Sequence, residues 1–347
     1  TASGTVNILT VDGDITLAGN IDTSGADHSG AADTASAAGQ VDIATLDGAV
    51  TAAGIDASGG NATGGGTGGA AAAVNVTSAD AGNDETHNVT LNGAINTSGG
   101  TGTTAVGASA NVTIVSDNNV TINQAITTSG GNVDIVAATN IAVNQAVTTA
   151  GGNVDLTATA GALTSAADGD INTTHGTAGS NSGQVTVSVG TDINLDGDIT
   201  TTGNGAGNAA SVNLTTTNGD VTVAAISADA SGGGTTGTIT LDANGANSDV
   251  VVQNDLTTTG GGITITADDA IAFAAAANVA SGGGNVSVRG NDDTAAGNGI
   301  LVADGPVTAA NSINMVDGSS INSGAGTATL STDGNNGGLI NAEDITA

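Results

Sequence analysis

The chain has 347 residues, 57 of them Gly, with one Pro, no Cys, and Phe273 as its single aromatic residue. Its 33 Asp and Glu face one Arg289 and no Lys, a formal charge of −32. That balance excludes nucleic acid and anionic lipid as partners, because nothing in the chain could neutralise phosphates. A hydrophobic content of 38%, rich in β-branched residues, argues against disorder. An ordinary globular core of this size would use aromatic area; its lack points to a narrow interior filled by Val, Ile, Leu and Ala. No apolar stretch is long enough to span a membrane as a helix, and no basic n-region precedes Thr1. Since the chain does not start with Met, it reads as a processed protein or a fragment. The absence of Cys fits a secreted bacterial surface protein.

The first coil opens with Val6, Asn7 and Ile8, turns at Asp12 and Gly13, continues through Ile15, Thr16 and Leu17, and closes with Ile21, Asp22 and Thr23. A loose Gly/Ala/Ser passage over 25–39 follows. The second coil starts at Val41 and Ile43, turns at Asp47 and Gly48, and runs through Val50 and Ile55 into another passage over 58–72. The third starts at Val74 and Val76, carries an insertion over 78–87, returns at Val89, Leu91 and Ile95, and leaves into a passage over 98–109.

Two compact units come next. Residues 111–131 read NVTIVSDNNVTINQAITTSGG and residues 132–152 read NVDIVAATNIAVNQAVTTAGG, aligned without a gap at a period of 21 residues. A fixed period of this length marks stacked repeats. Within each unit three short pieces alternate apolar with polar, so one face is buried and the other wet. Asp117, Asn118 and Asn119, then Asn123 and Gln124, then Ser129, Gly130 and Gly131 supply the corners. Three strands and three corners make one coil of an all-β, parallel β-solenoid. Val112, Ile114, Val120, Ile122 and Ile126 are expected to point inward and stack on Val133, Ile135, Ile141, Val143 and Val147.

The pattern continues through Val154, Leu163 and Ile171 with a loop over 175–183, then Val185, Ile193 and Ile199 with a loop over 203–210. Val212, Val221 and Ile226 lead into a loop over 230–236; coils at Ile239, Val250 and Leu256 and at Ile263, Ile271 and Val279 follow. Looser pieces are read at Val286, at Ile300, Leu301 and Val302, and at Val307. Ile313, Ile321, Leu330, Leu339, Ile340 and Ile345 finish the chain without an evident cap. Most loops leave after the third strand, at the Thr-Ser-Gly corner, where an insertion leaves the stacking beneath it intact. The expectation is a single solenoid over 1–347, about a dozen coils and on the order of 60 Å long.

Units of the form G-x-V-x-L/I, D-G-D-I-x-L and G-x-I-x-T-S-G, seen over 4–25, 184–203 and the compact pair, resemble the central repeats of filamentous-haemagglutinin-like surface adhesins. Those are two-partner-secretion or autotransporter exoproteins of Gram-negative bacteria. The resemblance implies a right-handed parallel β-helix on the cell surface or in a fibre. An Asn-Pro-Asn-Leu stretch of their secretion domain is not found; as a member of that family the sequence would be expected to be an interior shaft segment. The function expected is therefore non-enzymatic: the shaft of a surface adhesin, or a filament subunit that stacks end to end. Its partners would be flanking coils, further copies of itself, and cell-surface or matrix glycans.

Candidate sites are few. Asp12 and Asp14, Asp168 and Asp170, and Asp196 and Asp198 flank Gly residues. This is turn chemistry, and when stacked the carboxylates also offer oxygen ligands to Ca²⁺; neither the calcium nonapeptide nor the EF-hand spacing is present. The acidity is read mainly as a solvated surface, with stabilisation by salt or Ca²⁺ expected from screening of close Asp rows. His28, His87 and His175 fall in loops without a companion ligand. No nucleophile, base and oxyanion donor converge in the sequence, and a polysaccharide-degrading site would want aromatic platforms or cations. Thr23, Thr97, Thr127, Thr148, Thr173, Thr201 and Thr257 recur at similar places, and some of them are expected to stack outward as a hydroxyl ladder. This is read chiefly as β-branched residues fitting a sheet face, with an ice-binding solenoid as the alternative. Asn75, Asn88 and Asn111 head Asn-x-Thr triplets, which the Asn/Thr-rich composition produces by itself.

Overall fold

The computed structural model describes residues 2–30, 33–79, 87–275, 277–290, 313–316, 318–332, 340–342 and 344–347. Among them every regular element is a β-strand, and the strands come three to a coil in three parallel sheets, the winding of a right-handed β-helix. First strands are five residues long, second strands two or three, third strands two or three.

The chain divides into two units, residues 1–159 and 160–347. In the first unit the first sheet runs from Val6–Thr10 to Val154–Ala158, the second from Ile15–Thr16 to Ile141–Val143, and the third from Ile21–Asp22 to Val147–Thr148. In the second unit the first sheet runs from Val185–Val189 to Ala328–Thr332, the second from Leu163–Ser165 to Ile340–Asn341, and the third from Ile171–Asn172 to Asp344–Thr346.

Register follows from the alternation. Val112 pairs with Val133, Ile114 with Ile135, Val120 with Ile141, Ile122 with Val143 and Ile126 with Val147. All ten side chains are fully buried. A slip of one residue would turn each apolar set outward, and each such side chain stabilises the fold by roughly 1.5–3 kcal/mol when removed from water. The interior also takes the one aromatic side chain of the sequence. Phe273 is buried on the second sheet between Val252 and Met315.

In nine of the described coils the corner after the third strand is closed by a buried hydroxyl. Ala57 and Ala228 take its place in two others, where Ala72 N–H bonds to Ala57 O (3.0 Å) and Gly237 N–H to Ala228 O (3.3 Å). Thr23 donates to the Gly39 carbonyl (2.7 Å), Thr97 to Ala110 (2.7 Å), Thr128 to Gly131, Thr149 to Gly152 (2.5 Å), Thr173 to Gly183 (2.6 Å) and Thr201 to Ala210 (2.7 Å). Thr258, Ser281 and Ser323 do the same to Gly261, Gly284 and Gly326. The acceptor lies just ahead of the next first strand, three residues on in the compact coils and sixteen on at Thr23. Where it is present, one hydroxyl completes the coil over loops of very different length. Each bond contributes about 0.5–1.5 kcal/mol, and leaving its buried carbonyl without a partner would cost more.

The described residues of the passages over 25–39, 58–72 and 98–109 are not loose. Their outgoing arms stack through Gly25 N–H to Ser58 O and Ala62 N–H to Thr101 O (both 2.8 Å), and their return arms through Ala35 N–H to Thr67 O and Gly68 N–H to Ala105 O (both 2.9 Å). The arms also bond to each other: Gly69 N–H to Gly60 O and Gly107 N–H to Gly100 O within a coil (both 2.8 Å), and Gly100 N–H to Gly69 O between coils (2.9 Å). Backbones approach so closely that a Cβ at Gly69 would lie 1.8 Å from Ser36 O, and one at Gly100 1.8 Å from Gly60 O. Gly here serves close packing of two arms into an annex on coils one to three.

Toward the C-terminal end the assignment of pieces changes. The expected strands at 300–302 and Val307, and Leu339, lie outside the described residues, as does 80–86 of the insertion. In the coil begun by Val286–Gly290 the second strand is Ile313–Met315, paired with Ile271–Phe273, and the third is Ser320–Asn322. Sequence spacing pointed to the nearest apolar triplet; sheet register selects a later one.

Candidate functional site

The Asp-Gly-Asp turns occupy two different corners. Asp12 and Asp14 sit between the first and second strands of the first coil; Asp168 and Asp170, and Asp196 and Asp198, sit between second and third strands of successive coils in the second unit. All six side chains are exposed. In each turn the second Asp caps the next coil: Asp14 Oδ1 accepts the Ala49 N–H (2.8 Å), Asp170 Oδ1 that of Asp198 (2.9 Å) and Asp198 Oδ1 that of Ala225 (3.1 Å). The Gly197 N–H goes to Ser165 Oγ (3.0 Å). Among the described residues no group of three or more His, Asp or Glu is arranged to hold a metal ion.

A stronger acidic feature was not singled out in the sequence. Asp192, Asp220 and Asp249 each precede a second strand, and register stacks them in one column. Asp192 Oδ1 accepts the Asp220 N–H (3.0 Å), Asp220 Oδ1 that of Asp249 (2.9 Å), and Asp249 Oδ1 that of Ala270 (2.8 Å). The signal was present: Asp stands directly before Ile193, Val221 and Val250 at coil period. Burial raises the Asp220 carboxyl, against the Asp249 N–H bond, with Asp192 adding repulsion. Burial, then the charges of Asp269 and Asp220, push Asp249 up to about 6 despite its bond from Ala270. On the first sheet Asp134 is raised by burial and by Asp155, which lies beside it in register. Asp22 goes the other way, held low by the Ser24 hydroxyl and N–H.

The sign of the pH dependence follows. A carboxyl raised in the fold above its ordinary 3.8 holds a proton that the unfolded chain has lost. Stability is therefore greatest below about pH 4 for this group and falls as pH rises toward about 6. Because Asp249 is partly open to solvent, its share is about 1 kcal/mol after discounting for screening. Urea midpoints at about pH 4 and about pH 7 should differ in that sense, and Asp249→Asn, which keeps an acceptor for Ala270, should reduce the difference.

The three His separate. His87 is buried at the corner before Val89–Leu91, with Nε2 3.5 Å from Asp47 Oδ1 and Nδ1 3.6 Å from Asp117 Oδ2. His28 lies in the annex with Nε2 3.3 Å from Ser36 Oγ, and His175 Nδ1 accepts the Thr177 N–H (3.0 Å). The expected Thr column also divides. Thr23, Thr97, Thr173 and Thr201 are buried and close the corner, whereas Thr127, Thr148 and Thr257 point outward one residue earlier in the register. Adjacent positions on a strand face opposite ways, so a Thr-Thr pair contributes one hydroxyl to each side, and of the seven only the earlier members of such pairs, Thr127 and Thr148 in register among them, lie outward. A concavity of about 400 Å³ lies over the third strands of coils one to three, lined by Gly54, Gly93 and the stacked Asp22, Asp56 and Asn96.

The fold and these columns define a parallel β-solenoid repeat protein. No family model, no curated protein and no solved structure matches the chain.

Proposed function

We propose that this chain is a non-enzymatic structural segment, secreted by a bacterium and held outside the cell as the shaft of a surface adhesin of the filamentous-haemagglutinin type or of an extracellular fibre. The observation that carries it is the corner, closed in nine coils by a buried Thr or Ser, which admits loops from a few residues to fifteen or so without disturbing the stack. Such a frame displays variable loops on an invariant support. Its acidic outward columns keep a repetitive sheet protein apart from its neighbours. Along the axis its partners are further coils, of the same chain or of another copy; across the loops they are cell-surface or matrix glycans. Antibody raised to residues 1–347 should label intact cells of the source organism. Labelling that requires lysis would sink the reading, as would release of reducing ends from polysaccharides by the pure protein.

A further inference from the structure

One sheet face of the first unit is uncharged over four successive coils. On the second sheet of the first unit, the outward positions of coils two to five, within residues 49–53, 88–92, 119–123 and 140–144, hold only Ala, Thr and Asn. Over the same four coils the outward positions of the first sheet include Asp42 and Asp134 and those of the third Asp56, and Asp14 of coil one borders the face at Ala49.

This face is also highly ordered. Asn119 Nδ2 donates to Asn88 Oδ1 (3.0 Å) and Asn140 Nδ2 to Asn119 Oδ1 (2.9 Å), one ladder along the stack. Asn123 Nδ2 donates to Asn92 Oδ1 (2.9 Å) and Asn144 Nδ2 to Asn123 Oδ1 (2.8 Å), a second ladder. Between the ladders Thr51, Thr90 and Thr121 stack in register. At the rim, Asp47 and Asp117 both lie against the His87 ring.

We propose that this face pairs laterally with the same face of a second copy. Two chains of −32 repel wherever Asp columns meet, and this face lets the sheets approach without opposing carboxylates. The period selects the partner. Side chains repeat about every 4.8 Å along the stack, and another solenoid of the same rise stays in step with it row after row. Facing amide ladders pack as they do between paired sheets of stacked strands. Four rows of five residues cover only about 300 Å² per copy, against about 800 Å² per partner in a stable complex. The pairing is accordingly weak, and strengthens with protein concentration and with salt that screens the remaining charge.

Sedimentation velocity of the full chain, from low salt to about 1 M NaCl, tests this. The wild type should shift from monomer toward dimer as salt and concentration rise. Thr121→Asp places a carboxylate at the centre of the face and should remain monomeric. Thr127→Asp adds the same charge to the same coil on the third sheet and should associate as the wild type does. Thermal melts establish that both variants fold; if Thr121→Asp does not, Asn92→Asp, exposed on the same face, replaces it. A wild type that stays monomeric throughout, or two variants that behave alike, would overturn the proposal. The readout is independent of whether the protein is displayed on cells.

Discussion

Ile135→Asp should abolish the cooperative unfolding transition of the first unit. Ile135 is fully buried, in register between Ile114 on one coil and Leu156 on the next. The side chains around it are aliphatic and offer a carboxylate neither a cation nor a donor. Loss of the apolar packing alone, as in Ile135→Ala, costs about 2–5 kcal/mol. An unpartnered buried charge adds a desolvation penalty of several kcal/mol more, which is comparable to the whole stability of an ordinary domain. In urea titrations followed by circular dichroism, Ile135→Asp should lack a native baseline while Ile135→Val keeps one at a lower midpoint. A folded Ile135→Asp protein with a wild-type midpoint would contradict the inward placement.

Gly100→Ala should loosen the annex and leave the coils standing. The new Cβ would meet the Gly60 carbonyl oxygen at 1.8 Å and its carbon at 2.6 Å. Both are backbone, so one arm must move, breaking the bonds from Gly100 N–H to Gly69 O and from Gly107 N–H to Gly100 O. Overpacking of this kind costs about 1–3 kcal/mol and can cost more. Its effect stays local because the Thr97 hydroxyl closes the coil onto Ala110 beneath the loop. Hydrogen exchange should show lost protection at Gly69, Gly100 and Gly107 with Val112 and Ile114 still protected. Unchanged protection at all five would show that the arms do not pack as closely as described.

Several features were legible from residues alone for a simple reason. A coil must return to its start each turn, so equal spacing and alternation in 111–131 and 132–152 define both the inward set and its register partners. The same rule reached Val120 on Ile141 and Ile126 on Val147. It failed at the end of the chain, where 300–302 offered a nearer apolar triplet than Ile313–Met315. Spacing loses its force once an insertion can leave from a corner.

The Asp and Thr columns show the other side. Asp192, Asp220 and Asp249 are 28 and 29 residues apart, and the loops between them vary, so their common column emerges only when strands pair. Thr127 and Thr128 are chemically alike in the sequence; one faces water and the other closes a buried corner, a choice made by the pleat. The Gly-rich passages carried even less local information. Composition describes a chain free to move, whereas the position of one arm against another, set by the coils that carry them, decides that the chain is packed. What the sequence determined by itself was therefore the repeating part: period, strand pattern, apolar interior and sign of the surface. The tertiary structure alone decided what depends on stacking, namely which acids crowd, which hydroxyls are buried, where Gly is required by close approach, and which face is left uncharged. Those properties arise from neighbours a full coil away, and no stretch of sequence shorter than a coil contains them.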